Sequence, residues 1–343
     1  MEPKPDATPF APLAHGGDLA AARALFPDAP EPFIDLSTGI NPHPYPSPRF
    51  PEECLARLPD AAGLQRLCQA AAHAYGLKSA QQVVAAPGTQ SLLSLVAMLA
   101  PTGRAAILGP TYAEHMRVAA LVGHKVVEVA GIGQLARASL AVVVNPNNPD
   151  GRILGKSKLL DVADELDRRD GILVVDEAFA DVGPVDLSLA DATAARRNIV
   201  VLRSFGKFFG LPGLRLGFAL AGPELARRLK AWLGPWAVSG PAIHIGEIAL
   251  ADDAWSTAMR ERLARDAQRL NAMLAGANLD IIGGTSLFWL TRSTAAAEMF
   301  ERLGRAGIFV RRFAEHPTWL RWGLPGTEAA WQRLGAVLDS DRG

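Results

Sequence analysis

Asn148, Asp176 and Lys207 are an amide, a carboxylate and an amine, set 28 and 31 residues apart. Each stands at or just beyond the end of a short apolar run: Leu140–Val144, Ile172–Val175 and Ile199–Leu202. That spacing is about one strand-helix-strand unit of roughly 30 residues. In an open parallel sheet, ligands bind outside the carboxyl ends of the strands, so the three side chains are expected at one cleft. Singly, each has an ordinary explanation. Asn-Pro-Asp-Gly makes a turn, an aspartate after a strand caps a helix, and a lone lysine is normally solvated. Together they form a toolkit for chemistry on a bound small molecule.

The elements around them repeat a simple rhythm. Short runs rich in Val and Ile read as strands at Gln82–Ala85, Ala105–Leu108, Lys125–Val129, Leu140–Val144, Ile172–Val175, Ile199–Leu202 and Gly217–Leu220. Helical periodicity lies between many of them, at Thr89–Ala100, Ala113–Leu121 and Lys156–Arg168. The expectation is an α/β fold, with a mostly parallel central sheet sandwiched by helices. From Pro241 to Leu274 one or two helices are expected, with a break near Asp252-Asp253. Strands at Asp280–Ile282, Ser286–Thr291 and Ile308–Arg311 follow, with helices at Ala295–Ala306 and Glu328–Leu338. These make a smaller α+β C-terminal domain. Eleven of the 25 prolines fall in the first 50 residues, which read as an N-terminal arm with a short strand near Phe33–Leu36. The expected division is an arm and part of the small domain at 1–50, a large domain at 51–240 and a small domain at 241–343.

Composition excludes several classes. The 343 residues carry 35 basic and 35 acidic side chains, so no large polyanion is expected as partner. No apolar run approaches the ~20 residues of a membrane span. Met1–Ala14 lacks an apolar signal core, which gives a cytoplasmic expectation. Two cysteines, Cys54 and Cys68, make no disulfide framework, and seven scattered histidines offer no metal-ligand spacing. Gly131-Ile132-Gly133-Gln134-Leu135-Ala136 fits a dinucleotide-binding pattern after a strand. The next strand starts at Leu140, leaving no room for the crossover helix such a unit needs.

Ser204 to Gly217 fits the pattern S-x-x-K-x(5)-G-x-R-x-G throughout. In this the chain resembles the fold-type I pyridoxal-phosphate enzymes of the class I/II aminotransferase family. The resemblance implies that Lys207 is the lysine bonded to the cofactor aldehyde, and that Asp176 pairs with the protonated pyridine nitrogen and keeps the ring able to accept electrons. It places Asn148 at the phenolic oxygen, Tyr112 on the ring face, and Ser204 and Arg215 at the cofactor phosphate. Gly88, Thr89 and Gln90 open the helix after the first strand and are implied as further phosphate-side contacts.

Within that family the chain is most similar to the branch of threonine-phosphate decarboxylases of cobalamin biosynthesis and histidinol-phosphate aminotransferases. His15-Gly16-Gly17-Asp18 resembles the H-G-G-N opening of the decarboxylases, and Asp35 to Pro42 resembles their D-x-S-x-N-I-N-P segment. This implies decarboxylation of a phosphorylated amino acid, with an aminotransferase as the nearest alternative and a non-catalytic cofactor-binding sensor as a remote one. Arg321 matches the arginine that grips the substrate carboxylate. His15, Asn41 and Arg311 are further substrate-binding candidates. A homodimer is implied, with no nucleic-acid, membrane or metal partner. Two residues depart from the family: Leu58 stands where a tyrosine crosses the dimer interface, and Phe179 where a tyrosine donates to the phenolic oxygen.

Overall fold

Seven short strands pair into one sheet, and in most of them neither face tolerates water. In Leu140–Val144, Ile172–Asp176, Ile199–Ser204 and Gly217–Ala221 every residue is buried. Such strands are stable only with helices covering both faces. The computed structural model describes residues 15–46 and 48–339. The chain falls into two compact units, one of residues 45–148 and 153–253, the other of residues 15–44, 149–152 and 254–339. The helix Gly240–Leu250, which spans the expected boundary at 240, stays with the first unit. The reading of Met1–Ala14 falls outside the described residues.

In the first unit the strand order is Val83–Ala86, Gly217–Ala221, Ile199–Ser204, Ile172–Asp176, Leu140–Val144, Arg104–Leu108, Lys125–Val129. All are parallel except Gly217–Ala221, which runs against both neighbours. Ile172–Asp176 is central, and its pairing continues past its end. Asn145 N–H donates to the Asp176 carbonyl at 2.9 Å, and Glu177 N–H to the Leu202 carbonyl at 2.9 Å. Asp176 is therefore held by backbone on both sides. The Gly131 segment forms a short 3₁₀ helix, Ile132–Arg137, with no crossover helix before the next strand.

In the second unit five strands pair in the order Ile34–Leu36, Ile308–Phe313, His316–Gly323, Phe288–Arg292, Asp280–Thr285. The first pair is parallel and the rest antiparallel. Two elements here escaped the sequence reading. The strand His316–Gly323 carries Pro317, a residue that argues against a strand, yet Leu320 to Gly323 are buried, and Leu320 and Arg321 are paired on both sides. The helix Leu19–Leu25 is only seven residues long, too short for periodicity, and is set by its cap: Asp18 Oδ1 accepts from Ala21 N–H at 2.9 Å. The expected break at Asp252-Asp253 is present, between helices Gly240–Leu250 and Asp253–Gly276.

Helix Ala296–Arg305 buries Ala296, Met299, Phe300 and Leu303, a stripe at helical spacing. Gly304 continues the stripe at a point of closest approach, where an added Cβ would lie 2.1 Å from Phe26 Cε2. That ring is itself packed against Phe300, 5.7 Å between centroids, and has nowhere to move. Alanine improves helix propensity by up to ~1 kcal/mol, but the steric term wins. Gly304→Ala is expected to lower stability by about 1–3 kcal/mol in denaturant unfolding.

Candidate active site

The first unit holds nine of the expected site residues. Asp176 ends the central strand and is 5% exposed. Its Oδ2 lies 2.8 Å from His115 Nε2, and its Oδ1 accepts from Ala178 N–H at 3.0 Å. With its proton on Nε2, His115 would donate to Oδ2. The histidine is also buried, and its ring meets Tyr112 edge-on at 5.9 Å. A buried carboxylate held at both oxygens is positioned as a protonated heterocycle requires of a partner.

Lys207 sits in the helical turn Phe205–Phe208 directly after the neighbouring strand. Its Nζ lies 5.6 Å from the centroid of the buried Phe179 ring. The residue that replaces a family tyrosine thus offers the lysine an aromatic face and no hydroxyl. Asn148 is half-buried. Its neighbours fasten the loop: Asn147 accepts from Thr111 Oγ1 at 2.6 Å and donates to the Pro110 carbonyl at 3.0 Å. Asn145 exchanges two hydrogen bonds with the Leu154 backbone. Tyr112 Oη donates to Gln90 Oε1 at 3.2 Å, and Gln90 Nε2 donates to Glu114 Oε2 at 2.7 Å. Gln90 therefore braces the aromatic ring, besides any ligand contact.

Gly88 and Gly217 build a cradle for an anion. Gly88 has φ of 82°, and a Cβ on it would lie 2.5 Å from Arg215 Nη2. A Cβ on Gly217 would lie 2.5 Å from the Thr89 nitrogen. The guanidinium and the start of helix Thr89–Ala97 approach each other only because both side chains are missing. Arg215 itself takes a left-handed backbone, φ 53°. A guanidinium beside free helix N–H groups suits a phosphate. With the buried carboxylate and the amine, this donor set fits pyridoxal phosphate.

The second unit holds the other four. Arg321 is 7% exposed, donates from Nη2 to the Ser37 carbonyl at 2.7 Å, and lies 5.2 Å from the Phe288 ring centroid. Burial, then the nearby Arg311, pushes its pKa down to about 10, while Asp35 acts in the other direction. Arg311 and Arg321 stand directly opposite on antiparallel strands. Like charges in that register destabilise a sheet unless an anion joins them. Arg312 turns elsewhere, 3.7 Å from the Phe300 ring centroid. Asn41 is buried, and its Oδ1 accepts from His43 N–H at 2.8 Å. His15 is exposed. Leu58 is 67% exposed, beside Leu55 at 72%.

Two features escaped the sequence reading. His115 was one of the scattered histidines; its only signal was a position one helical turn after Tyr112. The other is a buried charge cluster beneath the strand ends. Arg203 donates to Glu177 Oε2 at 3.1 Å and to Asp181 Oδ1, and its guanidinium lies 4.4 Å over the Tyr75 ring. Burial raises the Glu177 carboxyl above its usual range, against the lowering pull of Arg203. The cluster ties the segment after Asp176 to the strand that leads into Lys207.

Among the described residues no group of His, Cys, Asp and Glu could hold a metal ion, and no helix is long and apolar enough to cross a membrane. The family model for aminotransferase class I and II matches residues 34–335. The chain belongs to that family. Among its relatives, threonine-phosphate decarboxylase from Sinorhizobium sp is 45% identical over 332 residues, 96% of this chain and 98% of the relative. The enzyme of that name from Pseudomonas aeruginosa is 41% identical over 95% of this chain and 97% of its own. The structure of histidinol-phosphate aminotransferase from Sinorhizobium meliloti in complex with pyridoxal-5'-phosphate aligns with a TM-score of 0.81 at 21% identity, covering 96% of each chain. L-threonine-O-3-phosphate decarboxylase from Porphyromonas gingivalis aligns with a TM-score of 0.75 at 21% identity, covering 90% of this chain and 98% of that one. The aminotransferase fold accounts for the strand order and for the convergence of Asp176 and Lys207 at strand ends.

Replacing Arg203 leaves two buried carboxylates without a counter-charge. Arg203→Met is expected to lose about 3–5 kcal/mol in denaturant unfolding at neutral pH. A protonated Glu177 needs no partner and its folded pKa lies above the unfolded value, so the deficit is expected to grow as pH rises and to shrink on acidification.

Proposed function

We propose that this chain is a pyridoxal-phosphate-dependent decarboxylase, converting L-threonine O-3-phosphate and a proton to (R)-1-amino-2-propanol O-2-phosphate and CO2, in cobalamin biosynthesis. The observation that carries this reading is near-full-length identity of 45% and 41% to two relatives named threonine-phosphate decarboxylase. The His15-Gly16-Gly17 opening supports it, being the feature by which the decarboxylases differ from the aminotransferases of the same branch. The protein is proposed to act as a cytoplasmic homodimer, with exposed Leu55 and Leu58 on a surface suited to a second copy.

The proposed roles follow from the chemistry of each residue. Lys207 holds the cofactor through its amine, Asp176 holds the ring nitrogen, and His115 fixes the carboxylate and its charge. Asn148 donates to the phenolic oxygen, Tyr112 covers the ring, and Gly88, Thr89, Gln90, Ser204 and Arg215 take the phosphate end. When bound, pyridoxal phosphate supplies an electron-withdrawing ring that accepts the electron pair left at the substrate Cα. Arg321, with Asn41, binds the substrate carboxylate, while Arg311 and His15 take the substrate phosphate. The orientation these groups impose on the substrate would select CO2 loss over Cα–H cleavage. Lys207 Nζ, when not bonded to the cofactor, would be the group to return a proton to the substrate Cα.

Histidinol-phosphate aminotransferases match at 29–30% identity over 81–88% of the chain, which keeps transamination as the second reading. Holoenzyme given L-threonine O-3-phosphate and no keto acid is expected to release CO2. No CO2, with glutamate formed once histidinol phosphate and 2-oxoglutarate are supplied, would replace the first reading by the second. Lys207→Ala is expected to reduce CO2 release by at least about 10³-fold and to lose the lysine-bound cofactor absorbance.

A further inference from the structure

Ser37 has none of the roles above, yet it is fully buried and all its polar groups are engaged. Its N–H and its hydroxyl both donate to Asp35 Oδ1, at 2.8 and 2.6 Å. Its Oγ accepts from Gly17 N–H at 2.7 Å, and its carbonyl accepts from Arg321 Nη2 at 2.7 Å. One residue therefore supports both the segment that carries His15 and the buried arginine.

The two glycines are what this support demands. A Cβ on Gly16 would lie 2.3 Å from the Ser37 carbonyl oxygen and 2.9 Å from its Oγ, so the backbone lies flat against the serine. Gly17 has φ of 91°, which side-chain-bearing residues rarely adopt, and this turns its N–H towards Ser37 Oγ. Only a hydroxyl can donate to Asp35 and accept from Gly17 at once. Asp35 adds a second link, since its charge favours the charged form of Arg321.

We propose that Ser37 is a positioning residue that seats the His15-Gly16-Gly17 segment on the same support as Arg321, making recognition of the substrate phosphate depend on the group that anchors the carboxylate arginine. The proposal rests on the reading that the substrate is a phosphorylated amino acid. A Gly-Gly segment loses more backbone freedom on ordering than any other, and seating it in advance spares the ligand that cost.

The test uses the holoenzyme and two variants, Ser37→Ala and Gly17→Ala, the second leaving Ser37 untouched in case the first does not fold. In each, KM for L-threonine O-3-phosphate is expected to rise about tenfold, with kcat changed by less than about threefold. The inhibition constant of L-threonine, which lacks the phosphate, is expected to stay within about twofold. The double variant is expected to be no worse than the weaker single one, because both release the same segment. Amide exchange at residue 17 is expected to quicken in Ser37→Ala. Parallel weakening of L-threonine and its phosphate, or no weakening of either, would overturn the proposal. If wild-type enzyme releases no CO2, the functional reading fails. The comparison then runs with histidinol phosphate against histidinol, and the same selective loss is expected.

Discussion

The arrangement depends on a carboxylate kept out of water at the end of a central strand. Asp176 at 5% exposure has little solvation, so its charge needs a fixed partner. His115 supplies one face at 2.8 Å, and the Ala178 amide supplies another. A single hydrogen bond contributes only about 1 kcal/mol of net stability. What holds the carboxylate is the ladder of backbone hydrogen bonds on both sides of the strand, which places the side chain before any pairing energy is counted. The parallel sheet is thus a clamp for one charge, and Lys207, Asn148 and the Gly88 cradle are neighbours on its rim.

The second unit solves a related problem with the opposite sign. Arg321 is buried with its pKa pushed down to about 10, facing Arg311 across an antiparallel pair. Its surroundings include the Ser37 carbonyl, the Phe288 ring face and, further off, the Asp35 charge. In both units a buried polar group is fixed by backbone, Asp176 by the Ala178 amide and Arg321 by the Ser37 carbonyl.

Much of this was legible in the chain. Asn148, Asp176 and Lys207 announce themselves because strand ends are where parallel sheets put chemistry, and the strands are apolar enough to delimit. The sheet's mostly parallel character followed from the same runs. His115 was invisible because pairing with a residue 61 positions away leaves no local trace. The strand bearing Arg321 was obscured by Pro317, and its arginine was legible only through the family motif. Phe179 was noticed as a missing hydroxyl, while its packing against Lys207 required coordinates. The Arg203 cluster was hidden for a general reason: a buried charge reads in sequence like an exposed one.

Arg311 and Arg321, opposite in strand register, also concentrate positive charge on one stretch of the second unit's sheet. If, as proposed, these arginines take the substrate's carboxylate and phosphate, then phosphate or sulfate in a buffer would compete for them. Apparent affinity and thermal stability then become properties of the buffer as well as of the chain. Chloride or a bulky organic anion is the more neutral medium in which to measure either.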